Sequence, residues 1–341
     1  MPVVALDARL LEAGPRALDA AVADALGTPA LIRFDAPTRA APPSAISPEV
    51  QDWLRHVPAV TLLVGPDAAI DGFDLSTPDA AQAQVWCAAF ERSPHAIHAA
   101  TLLVRHRALD AWTGLVAESA TYSMLQAGPA FRSWRETHPA EPAGDTSPRV
   151  RVTRRGRVTE IVLTRPARHN ALDVRMRDEL FDALGDAAVA GSPVVVRADG
   201  PSFSSGGDLD EFGTFSDSAG AHAVRLGRSL AWRFHQLAPR LVVGIHGACL
   251  GAGIELPAFA ATVIAAADAR CGLPEPAIGL VPGAGGTVSI PARVGRARFL
   301  ELLLLEGTIP ASTALDWGLV DEVVPNAHLE SHLLELAESL A

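Results

Sequence analysis

At 341 residues, with 49% apolar and 20% charged side chains, the chain is long enough for one large or two ordinary globular domains and too hydrophobic for a disordered one. Its net charge of −11 argues against a general nucleic-acid binder. It contains no lysine, so all 28 basic residues are Arg, which excludes Schiff-base chemistry, covalently held pyridoxal phosphate and the Walker lysine.

Any phosphate ligand is left to Arg, backbone N–H groups or helix N-termini. No run of about 18 apolar residues stands clear of Pro, Gly and charge, so no membrane span is expected. The opening MPVVALDARLLEAG has no basic stretch leading into an apolar block, so no secretory signal is expected and a cytoplasmic location is. Cys87, Cys249 and Cys271 form neither a CxxC pair nor an even framework and read as buried thiols in a reducing compartment. The His residues lack ligand-type spacing, so no metal is expected.

In chain order, Leu10 to Leu26 reads as a helix, Ala59 to Val64 as a strand and Ala80 to Phe90 as a helix. Two further helices are expected between Pro94 and Trp134. The stretch HPAEPAGDTSP (138–148) is rich in Pro, Gly and small polar residues and reads as a linker. Next, RVRVTRRGRVTEIVLTRP alternates around an RRG turn, which predicts a β-hairpin. Its Arg149, Arg151, Arg154, Arg155 and Arg157 are expected on a solvated face. Asp173 to Leu184 has helical spacing, and Ser192–Ala198, Leu241–Ile245 and Thr262–Ala266 are short β-rich runs. Strand, Gly-rich turn and helix recur, which predicts βαβ units with right-handed crossovers. Arg298 to Glu306 and Asn326 to Leu340 read as helices.

Chemistry concentrates in two Gly-rich turns and two lone carboxylates. In FSSGGDL (203–209), glycines at a strand end let the backbone approach a ligand, although a tight turn is the simpler reading of that stretch alone. In LVVGIHGACLGAGIEL (241–256), a strand runs into small residues that open a helix, leaving free N–H groups at its start. One N–H from each loop can together bind a developing oxyanion, at about 2.7–4 kcal/mol per donor. Glu255 lies one turn beyond Ala252 on the same face. Glu275 arrives from another element; alone it merely opens a helix between Pro274 and Pro276, but meeting Glu255 it would complete an acid/base pair.

Four stretches, TRPARHNALD (164–173), FSSGGDL (203–209), GACLGAGIEL (247–256) and LPEPAIGLVPGAGGT (273–287), together resemble the crotonase superfamily, the enoyl-CoA hydratase/isomerase fold, over about residues 151–325. The resemblance implies an α/β chain with a crotonase-like ββα superhelix core. It implies an oxyanion hole for a thioester made by the N–H groups of Gly207 and Ala252. Asn170, Ala171, Leu172, Ser205, Asp208, Leu209 and Asp210 would line the CoA channel. Glu255 and Glu275 fall where hydratases of the family keep their acid/base residues, and Gly283 where the family positions water. The implied reaction is syn addition of water to a 2-enoyl-CoA, with the acyl-CoA or acyl-carrier thioester as substrate and no separate cofactor. A trimeric or hexameric homo-oligomer is implied as well. Members that keep one Glu include isomerases and decarboxylases, and a non-catalytic subunit that binds acyl thioesters or scaffolds a complex is a further alternative.

The chain departs from the family pattern at Ala252, where glycine is usual, at Pro257 early in a helix, and at Ala261, where Asp is typical. His246 is expected to be structural. After DEVVP the chain runs only one helix further, whereas the family continues with a helical tail that covers the acyl pocket. Residues 87–134 resemble that tail. Upstream, PAVTLLVGPDAAIDGFDL (58–75) aligns with 192–209, matching Gly72 to Gly206 and Asp74 to Asp208, and ALIRFDAP (30–37) echoes EIVLTRP. These matches divide the chain into a degenerate crotonase-like half at 1–137, a linker at 138–148 and a catalytic domain at 149–341. The first half is expected to supply a lid, with Trp112, Tyr122 and Phe131 shaping the acyl pocket.

Overall fold

A computed structural model describes residues 3–36, 46–65, 72–105, 110–141, 146–215 and 217–340. Two compact units emerge: Met1–Ala108 with Arg296–Glu306, and Leu109–Gly295 with Gly307–Ala341.

The first unit holds four parallel strands in the order β1 (Val3–Asp7), β2 (Leu31–Asp35), β3 (Val60–Val64) and β4 (Leu75–Thr77). Around them lie α1 (Pro15–Val22), α2 (Pro48–His56), α3 (Ala80–Arg92) and α4 (Pro94–Arg105). The helix expected over Leu10–Leu26 is split: a 3-10 turn ends at Ala13, Gly14 takes a φ of 83°, and Pro15 begins α1. That is the division proline favours, since it lacks an N–H but suits a first helical turn. Leu18, Phe34, Val50, Leu54 and Leu63 form the core. Asp74 is fully buried, accepts from the Thr61 N–H at 2.8 Å and hydroxyl at 2.9 Å, and is paired with Arg105. Of the stretches matched to the second half, 66–71 and residue 37 lie outside the described residues.

The second unit begins with α5 (Ala111–Gln126) and α6 (Pro129–Thr137). Its six-stranded sheet runs in the order β13 (Glu322–Val324), β10 (Thr262–Ala266), β8 (Leu241–Ile245), β7 (Val194–Ala198), β6 (Val158–Leu163) and β5 (Val150–Arg155). Every pairing is parallel except the β5–β6 hairpin, which turns at Gly156 with a φ of 60°. A smaller sheet joins β12 (Ile309–Pro310), β11 (Arg270–Gly272) and β9 (Ala248–Leu250). The helices are α7 (Val174–Ala190), α8 (Ser218–Gly227), α9 (Leu230–Leu237), α10 (Ala252–Glu255), α11 (Gly286–Leu304), α12 (Ala311–Asp316) and α13 (Leu329–Ser339). Val158, Val195, Val242, Ile264 and Leu333 make one core cluster beneath α13. The α11 path is broken at Gly295, φ 79°, where the two units divide.

Two expectations change here. Arg149 is not on a solvated face; it is 2% exposed, and its Nε donates to Asp173 at 3.0 Å. The unit boundary falls before α5 rather than at 138–148, because α5 packs on α8 and α9, and α6 on the turn that carries Glu275. Of the expected linker, residues 142–145 lie outside the described residues. No helix among the described residues is long and apolar enough to cross a membrane.

Candidate active site

The loops after β7 and β8 are stitched together. Ser204 N–H donates to the Ala248 carbonyl at 3.1 Å, and Leu250 N–H donates to that of Ser204 at 3.0 Å. A side chain at Gly253 would lie 2.4 Å from the Ser204 carbonyl oxygen, and one at Gly206 would lie 2.8 Å from that of Leu250. Only glycine allows this approach, and Gly206 also has a φ of 92°. The junction brings the Gly207 and Ala252 amides to one cavity of about 240 Å3. Among the described residues, neither N–H donates a hydrogen bond within the protein.

Glu255 and Glu275 reach the same cavity from different elements. Glu255 ends α10, which lasts four residues before Pro257 opens a 3-10 turn. The proline lacks an N–H and so cannot extend the α-helix in register. The Glu255 carbonyl accepts instead from the Ser289 hydroxyl at 2.7 Å. Glu275 opens a 3-10 turn that closes at Gly279, φ 77°. Both carboxylates converge on Gly251: a Cβ there would lie 2.2 Å from Glu275 Oε1 and 3.7 Å from Glu255 Oε1.

The two acids are held differently. Glu255 Oε2 accepts from the Ala284 N–H at 2.7 Å and the Gly286 N–H at 2.9 Å. Glu275 Oε2 is buried and has no hydrogen-bond partner in the protein. Burial, with Glu275 and Glu118 nearby, holds the Glu255 carboxyl well above the usual range despite those two amides. Burial, reinforced by Glu118, pushes Glu275 up to about 7. Both carboxyls are thus harder to ionise than a solvated glutamate, because a desolvated site disfavours charging them together.

The other cavity walls come from α5, α8 and the 211–215 loop. Tyr122, the only tyrosine in the chain, lays its ring against Gly283, whose notional Cβ would sit 2.5 Å from two ring carbons. The ring meets Phe212 edge-on at 6.3 Å, and the Arg225 guanidinium lies 4.8 Å from its centre. Gly283, Leu172 and Asp208 also line the cavity. Phe131 lines a neighbouring pocket with Arg132 and Phe215, whereas Trp112 packs edge-on against Trp232. On α6, Arg135 donates to the Leu209 carbonyl at 2.8 Å and, through Nε, to that of Phe212 at 2.9 Å, tying down the loop beyond Gly207.

Several residues expected along a CoA channel have structural partners. Asn170 is fully buried at a φ of 51°. Its Oδ1 accepts from Arg165 N–H, and its Nδ2 donates to the carbonyls of Asp199 and Ser202. Asp208 accepts from Arg165 at 2.6 Å, and Asp210 pairs with Arg168. The Ala171 carbonyl also accepts from Arg165, and Ser205 N–H donates to His169. Leu209 is exposed. The His246 ring donates through Nε2 to the Gly200 carbonyl at 2.9 Å, a structural contact.

Sequence reasoning missed Glu118. This α5 residue is 2% exposed, accepts from the N–H groups of Gly285 at 2.7 Å and Thr287 at 2.9 Å, and from the Thr287 hydroxyl at 2.7 Å. The available signal was a carboxylate on the stripe Leu115, Glu118, Ser119 and Tyr122, spaced as the buried face of a helix.

Comparison with known proteins gives the family. The family Enoyl-CoA hydratase/isomerase matches residues 153–341. A probable enoyl-CoA hydratase of Bacillus subtilis is 36% identical over 177 residues, 50% of this chain and 67% of that protein. The 2,3-dehydroadipyl-CoA hydratase of Escherichia coli is 33% identical over 194 residues, 56% of this chain and 74% of that protein. Among solved structures, a putative enoyl-CoA hydratase from Thermobifida fusca in complex with acetoacetyl-CoA aligns with a TM-score of 0.51 and 30% identity, over 57% of this chain and 80% of that one. The chain therefore belongs to the enoyl-CoA hydratase/isomerase family, as an α/β enzyme of the hydratase/isomerase type.

Proposed function

We propose that the second unit hydrates the C2=C3 double bond of a 2-enoyl thioester, with CoA or a carrier protein on the sulfur. The carrying observation is the meeting of Glu255 Oε1 and Glu275 Oε1 at Gly251, one residue from the Ala252 amide. The thioester oxygen accepts from the Gly207 and Ala252 N–H groups, which gather the charge that develops as the bond is attacked. Water, held between the carboxyls beside Gly283, bonds through oxygen to C3 while the ionised carboxyl takes its proton. The π electrons move towards the thioester oxygen, and the protonated carboxyl then delivers its proton to C2. Afterwards one acid is again protonated and the other ionised, so a proton passed between them restores the starting state.

Retention of both acids favours hydration over isomerisation or decarboxylation, which need one. The residues Asn170, Ala171, Leu172, Ser205, Leu209 and Asp210 are proposed to shape the CoA channel through backbone atoms, Asn170 by holding its loop. For the first unit we propose a non-catalytic, degenerate crotonase-like half; its parallel β2–β3–β4 run, with a buried Asp74 directly before β4, supports that reading.

The test is turnover of crotonyl-CoA set against isomerisation of a 3-enoyl-CoA. Glu255→Gln and Glu275→Gln should each lower hydration by about 100- to 10,000-fold. Hydration unchanged by both substitutions would overturn the acid/base roles of Glu255 and Glu275, and a wild-type protein that turns over neither substrate would leave only a thioester-binding role.

A further inference from the structure

Four successive amides at the start of α11 are shared alternately between two buried carboxylates. Glu255 takes Ala284 and Gly286, and Glu118 takes Gly285 and Thr287 together with the Thr287 hydroxyl. A carboxylate is a costly way to anchor a turn in an apolar interior, where a neutral acceptor would serve. We propose that Glu118 is a positioning residue of the active site: with Glu255 it grips the 284–287 turn, fixing Gly283 and the Glu255 oxygen that faces Glu275. The proposal rests on the hydratase reading for its kinetic consequences and on hydrogen bonding alone for its structural ones.

Burial pushes the Glu118 carboxyl up to about 7, against the pull of its Thr287 and Gly285 donors and of a nearby guanidinium. Arg225 on α8 is the cation that acts on it, tethered to α5 through Ser119 and Ser123. His222, also on α8, meets the Ser119 hydroxyl at 2.9 Å. Tyr122 shares the helix, and Glu255 and Glu275 face it from α10 and the turn at 275. When ionised, Glu118 makes both acids harder to ionise through its charge, whereas the turn it grips presents the Ala284 and Gly286 amides that ease the ionisation of Glu255.

Glu118→Gln separates these roles. Gln keeps one acceptor oxygen but offers an NH2 group where the second accepted, so an amide of the turn loses its partner. We expect kcat to fall about 10- to 100-fold, with KM changed by less than about 3-fold. The acid limb of the kcat–pH profile should move to lower pH to the extent that Glu118 is ionised there, because its negative charge raises both acids. Backbone amide exchange across 284–287 should accelerate. A folded variant with wild-type kcat, limb and exchange overturns the proposal. If Glu118→Gln does not fold, Thr287→Val decides: it removes one donor to Glu118 and keeps every carboxylate. Lower kcat with faster exchange at 284–287 supports the grip, and wild-type values of both overturn it. A wild-type enzyme that hydrates no enoyl thioester sinks the hydratase reading by itself, and amide exchange then still decides for or against the grip.

Discussion

Gly283→Ala tests whether α5 closes directly over the reactive site. Gly283 has no positive φ, so the substitution carries no backbone strain and its effect is steric. The new Cβ would lie 2.5 Å from Tyr122 Cδ2 and Cε2. Optimal carbon contacts are about 3.5–4.0 Å, so the overlap is roughly 1 Å. The ring has little room to yield, since Phe212 meets it edge-on and Arg225 lies over it. Overpacking of this kind costs about 1–3 kcal/mol, and for a unit of this size each kcal/mol lowers Tm by roughly 2–4 °C. Tyr122→Ala alone should cost about 3–5 kcal/mol by leaving a cavity. In that background the Gly283 methyl enters vacated space, and its cost should fall within about 0.5 kcal/mol of zero. Urea denaturation of the four proteins of the cycle gives the coupling directly. Equal costs of Gly283→Ala with and without the ring would refute the packing argument.

Three further outcomes follow from the same geometry. Gly251→Ala places a methyl 2.2 Å from Glu275 Oε1 at a φ of 50°, so hydration should be abolished while the first unit still folds, as read by crotonyl-CoA turnover and circular dichroism. Asn170→Ala leaves the Arg165 N–H and the Asp199 and Ser202 carbonyls without their partner; calorimetry should show a loss of about 1–3 kcal/mol or more, with KM for the CoA thioester changed far less than stability. Glu275 has a folded-state value raised from its usual 4.5 to about 7, so the native protein holds a proton that the unfolded chain releases. Its contribution is therefore present at the acid end and lost as pH rises through that window, and Glu275→Gln should flatten that part of the stability–pH curve. An unchanged slope would contradict it.

The Gly-rich turns were more legible in the sequence than the molecule's division. Gly206, Gly251 and Gly253 stood out as punctuation, and each proves to be a place where a Cβ cannot fit. The β5–β6 hairpin and the parallel runs were legible because their patterns are local. The resemblance implies that Asn170 and Asp208 line a CoA channel; in the fold their side chains satisfy buried backbone and Arg165. Arg149 misled: a charge near a hairpin reads as solvated until a distant Asp173 is seen beside it. The unit boundary was missed because Pro/Gly-rich composition marks a flexible segment, whereas the true division depends on where α5 and α6 pack. Glu118 was missed for the same long-range reason: its partners lie 167 and 169 residues away in sequence.

The most direct test is a crystal structure with acetoacetyl-CoA bound. The thioester oxygen should lie within hydrogen-bonding distance of the Gly207 and Ala252 N–H groups, with Glu255 and Glu275 flanking C2 and C3 and Tyr122 against the acyl chain. A ligand whose thioester lies away from those amides, or whose acyl carbons touch neither acid, would contradict the account.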